Sequence, residues 1–157
     1  MDISECLRRI TRGFSGYEAA GREAARTAGM SESAHIILYM LLLFGGTLML
    51  TDLQHLTELP KQTINSALRH LEQSGCIANE KVGARKKRIL LTAGGRALAE
   101  QTAGKVIDLE TEILRSWSPE DRQKYIELSE DYTRKYMAGI RALSAAGEQK
   151  EGRGKSR

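Results

Sequence analysis

The chain has 157 residues, of which 28% are charged and 5% aromatic, and its formal net charge is +4. This length suits one domain. So few aromatic residues leave little stacking surface for single-stranded nucleic acid, which among nucleic-acid ligands favours a duplex. Two cysteines indicate a reducing compartment rather than a disulfide framework, and an N-terminus without an apolar signal region predicts a cytoplasmic protein. The apolar run 34–44 has about half the length that spans a bilayer, so no membrane partner is expected.

The first fifty residues predict two helices of different character. Apolar residues recur at helical spacing over 3–28, which predicts an amphipathic helix. Three glycines predict that this helix is broken or loosened: Gly13, Gly16 and Gly21. Ser31 suits the N-cap of a second helix, which is predicted to be buried because it is strongly apolar, and which ends at the glycine pair 45–46.

The segment 51–75 predicts two further helices joined by a tight turn. Thr51 is a suitable N-cap for a first helix over about 52–58. Pro60 has no N–H to lose in a first helical turn, so a second helix is predicted to begin there and to run over about 61–74. Gly75 suits the left-handed residue that commonly follows a helix end.

The second of these helices divides its side chains between two faces. The apolar positions predict the buried face: Ile64, Ala67, Leu68 and Leu71. The polar positions carry groups able to reach base edges and phosphates in a major groove: Lys61, Gln62, Thr63, Asn65, Ser66 and Arg69. An ordinary solvated face is the alternative interpretation for a helix considered alone.

A basic hairpin is predicted to follow, with a strand over 76–82, a turn from 83 to about 86 and a returning strand over 88–92. Five of the eight residues over 81–88 are cationic: Lys81, Arg85, Lys86, Lys87 and Arg88. A hairpin gains nothing from such charge unless a polyanion lies nearby, although a solvated charge run is the alternative. The segment 51–92 holds seven cations and four acids, a net charge of +3.

Beyond residue 92 the pattern is helical. One long helix is predicted to carry an apolar series: Leu98, Val106, Leu109, Ile113 and Trp117. Ser118, followed by Pro119 and two acids, predicts the start of a last helix. These helices have more apolar surface than one small module covers, which predicts a homodimer, with a single-chain helical core as the alternative. The residues 145–157 lack apolar periodicity and predict a disordered basic tail.

Several stretches resemble the MarR family of transcriptional regulators. They are Leu50-Thr51-Asp52-Leu53, Pro60-Lys61-Gln62-Thr63-Ile64, the run from Leu68 to Ile77, and Leu91-Thr92-Ala93-Gly94-Gly95-Arg96-Ala97-Leu98. The resemblance implies a mostly α protein with a small β-hairpin, forming a single domain over 1–144. In it, a winged helix-turn-helix core over about 31–98 is flanked by dimerisation helices over about 2–28 and 94–144.

The resemblance also implies a function: sequence-specific binding of double-stranded DNA by a homodimeric regulator, a ligand-responsive repressor acting at a pseudo-palindromic operator. Its DNA contacts are expected from the polar helix face and from the hairpin, or wing: Arg85, Lys86, Lys87 and Arg88. The family's wing usually carries Asp-x-Arg, in which the Asp orients an Arg that enters the minor groove. Here Arg85 takes the position of that arginine, and Gly83 replaces the Asp.

MarR-like proteins often hold a small, frequently phenolic, effector near the first two helices. In this chain that region offers four side chains: Arg12, Tyr17, His35 and Tyr39. For each of them, ordinary packing or surface exposure is the alternative. The three histidines show no spacing typical of a metal site.

Cys6 raises the question of redox sensing. One branch of the family, the OhrR-like peroxide sensors, places a reactive cysteine near the start of the first helix, which is where Cys6 lies. The positions of that branch's partner tyrosines hold Ala20 and Glu32, with Tyr17 as the nearby substitute. A peroxide-sensing repressor is therefore an alternative function, and inert burial is the alternative fate of this thiol.

The sequence lacks the residue patterns that an enzyme active site needs. The sequence shows no glycine-rich phosphate loop, metal-ligand cluster or nucleophile–base pair, so we expect no catalysis, cofactor or metal. A winged-helix module that docks a protein instead of DNA is the remaining alternative. Steep loss of binding with salt on duplex DNA distinguishes DNA binding from protein docking.

Overall fold

Seven helices and three short strands alternate in the computed structural model, which describes residues 2–154 and the side chains of residues 2–145. In chain order they are α1 (Ile3–Thr27), α2 (Glu32–Leu43), β1 (Thr47–Met49), α3 (Leu50–Thr57), α4 (Lys61–Gln73), β2 (Ile77–Val82), β3 (Lys86–Leu91), α5 (Ala93–Gln101), α6 (Ala103–Arg115) and α7 (Pro119–Gly154). The chain divides into two compact units, Met1–Glu110 and Thr111–Arg157. The predicted fold class is confirmed.

Helix α2 forms the centre of the first unit. Its N-terminus is capped as predicted, because the Ser31 hydroxyl accepts a hydrogen bond from the backbone N–H of Ala34. Six large side chains of this core are fully buried: Ile37, Leu38, Leu41, Leu53, Ile64 and Ile89. They come from α2, α3, α4 and β3. The apolar helix α2 therefore shares one core with both helices of the helix-turn-helix and with the hairpin.

A short strand precedes the helix-turn-helix. β1 was not predicted, and it pairs antiparallel with β3 through Thr47 and Leu90, giving a sheet of order β1-β3-β2. Because β1 leads directly into α3, that helix begins at Leu50 with Met49 as its N-cap residue. The prediction of Thr51 as the N-cap is therefore wrong.

Helix α4 and the hairpin after it follow the prediction closely. Helix α4 begins just after Pro60 and places its four predicted apolar residues in the core. Gly75 has a φ of +72°, the left-handed conformation that a glycine adopts without steric cost. Strand β3 begins at Lys86, two residues before the predicted start, because Lys86 pairs with Val82 across the turn.

Two predictions for the long helices are corrected. Helix α1 is continuous through its three glycines, since a glycine lowers helix stability by only about 1 kcal/mol relative to alanine. The long helix expected after Thr92 is instead two helices, separated at Thr102. The Thr102 hydroxyl donates a 2.7 Å hydrogen bond to the carbonyl of Leu98, which competes with the regular helical pattern.

In the second unit, α7 begins with the predicted cap. The Ser118 hydroxyl accepts a 3.0 Å hydrogen bond from the backbone N–H of Asp121. Trp117 packs edge-on against Tyr125, with ring centroids 5.1 Å apart. Helix α7 continues to Gly154, where a disordered tail was expected from residue 145, and residues 155–157 lie outside the described part. Among the described residues, no helix is both long and apolar enough to cross a membrane.

A close backbone approach joins α5 to the start of β2. A Cβ atom at Gly95 would lie 1.7 Å from the carbonyl oxygen of Cys76, a distance that no side chain can occupy. Thr92 completes this junction, because its hydroxyl accepts from the Gly95 N–H and donates to the carbonyl of Gly75 at 2.6 Å. Thr92 and Gly95 therefore hold the base of the wing against the end of α4.

We expect Gly95→Ala to destabilise the protein by about 1–3 kcal/mol or more, since the backbone around Cys76 must move to admit the methyl group. The neighbouring Gly94→Ala is the matched control, because its Cβ meets nothing closer than the Thr92 hydroxyl at 4.0 Å. Urea denaturation of both variants measures the difference. Equal stability of the two variants would show that the junction at Cys76 is loose.

Candidate nucleic-acid interface

The polar face of α4 is exposed, and its side chains have no hydrogen-bond partners among the described residues. Its six candidate side chains are Lys61, Gln62, Thr63, Asn65, Ser66 and Arg69. Within the described part of the chain, none of these six side chains makes a hydrogen bond or an ion pair. The opposite face is anchored in the core, so the helix presents donors and acceptors in a fixed direction. Such a surface can pair with base edges without first breaking internal contacts.

The turn before α4 fixes where that helix begins. Glu58 ends α3 in the left-handed conformation, with a φ of 50° and a backbone N–H bonded to the carbonyl of Gln54. Pro60 then has extended geometry immediately before the first helical residue. The two helices of the motif are thereby joined through three residues, which gives α4 little freedom to tilt.

The wing concentrates cations where the hairpin turns. Residues 83–85 form the turn, which Gly83 allows with a φ of +67°. Lys81 lies directly opposite Lys87 in the register of β2 and β3, and like charges in this position destabilise a hairpin. An external polyanion that neutralises both ammonium groups would remove this repulsion. Arg85, Lys86 and Lys87 are exposed, and no hydrogen bond or ion pair engages their side chains among the described residues.

Arg88 differs from the other wing cations. Its guanidinium lies 3.3 Å from the Glu80 carboxylate on the neighbouring strand, and both side chains are partly exposed. This cross-strand pair reduces the charge that Arg88 presents to a ligand. Of the four wing residues expected to contact DNA, Arg88 is therefore the one whose charge is already partly satisfied.

Two of the four candidate effector residues meet at a third side chain. Tyr17 on α1 donates a 2.8 Å hydrogen bond to one carboxylate oxygen of Glu110, and Tyr39 on α2 donates to the other. Burial, followed by the hydrogen bond and charge of Glu110, raises the pKa of Tyr39 well above its ordinary value. Sequence reasoning missed Glu110, because nothing in the pattern of α6 distinguishes it from a solvated acid.

The other two candidate effector residues do not join this cluster. His35 lies one turn before Tyr39 on α2 and is buried, and its Nε2 atom has no hydrogen-bond partner among the described residues. Burial lowers the pKa of His35, so the imidazole is neutral at pH 7. Arg12 is exposed on α1. The four residues therefore do not form one site within this chain.

Two surface cavities of the first unit are lined by described residues, and none of the four candidate residues lines either of them. The larger, about 950 Å³, lies between the connection from α1 to α2 and one side of α4, where Thr63, Ser66 and His70 line it. The smaller, about 620 Å³, lies between α1 and the region of α5 and α6, with Thr27, Lys105 and Leu109 in its lining.

The two cysteines have different environments. Cys6 is partly exposed in the first turns of α1, and its thiol has no hydrogen-bond partner among the described residues. Tyr17 lies eleven residues further along the same helix, roughly 16 Å away, and its hydroxyl is bonded to Glu110. Within one chain, Tyr17 is therefore not the partner that a sensing thiol would need. Cys76 is buried in the core.

Several solved structures with a similar fold are MarR family regulators. A MarR family regulator from Neisseria meningitidis has a TM-score of 0.71 at 16% identity, covering 92% of this chain and 99% of its own. AbsC, a MarR family transcriptional regulator from Streptomyces coelicolor, has a TM-score of 0.66 at 15% identity, covering 88% and 97%. NadR in complex with 4-hydroxyphenylacetate has a TM-score of 0.64 at 20% identity, covering 84% and 92%.

No family model and no curated protein sequence matches the chain. At the identities of the solved structures, the likeness is one of fold. The expected resemblance to the MarR family is confirmed at that level.

The hydrogen bond between Tyr39 and Glu110 predicts an altered alkaline titration. A raised pKa means that the native state holds the phenol proton more tightly than the unfolded chain does, so this contribution to stability is complete below the ordinary pKa of 10.0 and is lost as the pH rises above it. We expect Glu110→Gln to lower the pKa of Tyr39, which stays above 10.0 because burial is the largest cause. Tyrosinate absorbance measures the shift, and Tyr39→Phe identifies the signal. An unchanged titration in Glu110→Gln would assign the whole shift to burial.

Proposed function

We propose that this chain is a MarR-family regulator that binds double-stranded DNA as a homodimer and acts as a ligand-responsive repressor at a pseudo-palindromic operator. The observation that carries the proposal is the pairing of Lys81 with Lys87 in the wing beside a recognition helix whose polar face is unengaged. Folding alone gives no reason for this repulsive pair. A phosphate backbone supplies one, because each neutralised phosphate releases counterions and favours binding.

The two parts of the interface have different roles in this proposal. Helix α4 enters the major groove, where the amide of Asn65 can pair bidentately with adenine and where Gln62 and Ser66 reach neighbouring bases. Arg85 and Lys86 lie at the wing, where cations contact phosphates or enter a narrow minor groove. Recognition of sequence therefore belongs mainly to α4, and salt-dependent affinity belongs mainly to the wing.

The homodimer is supported by an apolar stripe on α1 that stays largely exposed, although some of its members make contacts within the chain. Its members recur at helical spacing and are between 40% and 81% exposed: Ile3, Leu7, Ile10, Phe14 and Tyr17. Helix α7 in the second unit also exposes large apolar side chains, among them Leu128 at 61% and Leu143 at 70%. Contiguous apolar patches of this kind mark interaction surfaces, and a symmetric second copy covers both with the same residues.

A small aromatic effector is part of the proposal. NadR has been crystallised with 4-hydroxyphenylacetate, and a ligand of that class has dimensions that suit the cavity beside α1. There, Leu109 offers an apolar contact and Lys105 a cation for a carboxylate. Tyr17 and Tyr39 do not line this cavity, and an effector that accepts a hydrogen bond from either phenol competes with Glu110. The absence of a tyrosine beside Cys6 within the chain makes peroxide sensing the weaker alternative.

The division of roles in the interface is directly testable. We expect Asn65→Ala to reduce the preference for the selected duplex over a scrambled one by about 1–3 kcal/mol for a lost bidentate contact. Lys86→Ala and Lys87→Ala should weaken binding to both duplexes and reduce the salt slope by roughly one unit for each lost phosphate contact. Binding isotherms across a salt series measure both quantities.

Arg88→Ala is the matched control for the wing, because Glu80 already engages that cation and its loss should change the salt slope less. Wing variants that lose specificity while keeping the parent slope would contradict the division of roles. Salt-insensitive binding of a protein partner, with no duplex bound at low salt, would favour the protein-docking alternative.

Dimerisation through α1 predicts that a charge on the apolar stripe weakens assembly. We expect Leu7→Glu to shift the protein toward monomer, since burying an unpaired carboxylate in an apolar interface is costly. Ala19→Glu, on an exposed position of the opposite helical face, is the control and should remain dimeric. Sedimentation velocity at several concentrations gives the dissociation constant. A parent chain that is monomeric at all concentrations would refute the homodimer.

A further inference from the structure

Glu110 joins three helices that are distant in sequence. It lies on α6, and its two carboxylate oxygens each accept one phenol hydroxyl, from Tyr17 on α1 and from Tyr39 on α2. The partners lie 93 and 71 residues away along the chain. A carboxylate that accepts on both oxygens in this way is held more firmly than one making a single contact, because rotation about its own axis breaks both hydrogen bonds.

A second contact lies at the other end of the same helix pair. A Cβ on Gly104 would lie 3.4 Å from Cδ2 of Leu42, so α2 and α6 approach closely there. Gly104 and Glu110 are six residues apart, or roughly 9 Å along the helix axis. The two helices therefore lie near each other at Gly104 and are joined by a hydrogen bond at Glu110. The core already sets the position of α2, and the hydrogen bonds at Glu110 add a link from α2 to α1 and α6.

The two phenols belong to elements with different tasks. Tyr39 is on α2, whose apolar side chains anchor α4 and β3 in the winged module. Tyr17 lies at the end of the exposed stripe on α1 and is itself 69% exposed. Under the proposed function, a second copy covers this stripe and removes water from the hydrogen bond between Tyr17 and Glu110. That bond is then stronger in the dimer than in the isolated chain.

We propose that Glu110 is a positioning residue for DNA recognition, which through Tyr17 and Tyr39 fixes the winged module against the dimer helices and so sets the distance between the two recognition helices. This role rests on the proposed function. A dimer reads two half-sites about one DNA turn apart, and neighbouring base pairs differ by only about 3.4 Å along the helix axis. A small rotation of α2 is thus sufficient to change which half-site spacing fits both modules.

The test compares half-site spacings. A duplex selected by the parent from a random pool is prepared in its original form and with one or two base pairs inserted between its half-sites. We expect the parent to lose about tenfold or more in affinity on insertion, which is the range of a mismatched site. Tyr39→Phe and Glu110→Gln should lose less than about threefold on insertion. They should also bind the original duplex more weakly, because only a fraction of the molecules then holds the competent spacing.

A single half-site duplex separates positioning from damage to the module. The variants should bind it with the parent's affinity, whereas a merely destabilised protein binds every duplex less well. Tyr125→Phe, which removes a hydroxyl outside this cluster, is the matched control and should keep the parent's spacing dependence. The double variant Tyr39→Phe with Glu110→Gln should be no worse than Glu110→Gln alone, because that change already affects the hydrogen bond that Tyr39→Phe removes.

The outcomes distinguish the two levels of the argument. Variants that keep the parent's discrimination between spacings overturn the positioning role while leaving DNA binding intact. Weakened binding to the single half-site also overturns it, since the module itself is then impaired. A parent that binds no duplex refutes the proposed function, and with it the role that rests on that function.

Discussion

Burial of α2 is the constraint on which the rest of the first unit depends. Ile37, Leu38 and Leu41 are completely inaccessible, and each buried side chain of this size contributes roughly 1.5–3 kcal/mol relative to exposure. Their contacts come from separate elements, so the position of each element is defined by reference to one helix. The exposed face of α4 points in a defined direction because its opposite face is fixed on α2. The orientation of the polar face of α4 is thus a consequence of packing on its opposite side.

The wing shows what such a core makes possible. An exposed like-charge pair such as Lys81 and Lys87 destabilises by an amount of the order of exposed ion pairs, at most about 1 kcal/mol. One buried leucine offsets it. The nearby pair of Arg88 and Glu80 compensates part of the repulsion within the same two strands. Charge that is unfavourable for folding can therefore be kept for binding, provided that the core has a surplus of stability and the anion arrives from outside.

The sequence predicted the features that local chemistry determines. The bounds of α4 followed from Pro60 and Gly75, and the caps at Ser31 and Ser118 followed from short side chains that bond to the next turn. Features that depend on distant partners were not predictable. Three residues make β1, and they form a strand only because β3 lies beside them. The role of Glu110 was not predictable either. Its partners lie 93 and 71 residues away, and the residues next to it in sequence are typical of those around a surface acid.

The replacement of an acid by Gly83 in the wing has a physical consequence for Arg85. In MarR-like wings the Asp at this position orients the arginine, whereas here the residue is glycine with a φ of +67°, a conformation that disfavours any side chain. Arg85 has no intramolecular ion pair among the described residues, so under the proposed function it keeps its rotamer freedom until DNA binds. Ordering such a side chain on binding costs about 2 kcal/mol, and the additional cations of the wing offset that cost. Three cations directly follow Arg85. The wing of this chain therefore offers several weakly oriented cations in place of one arginine that an Asp holds in position.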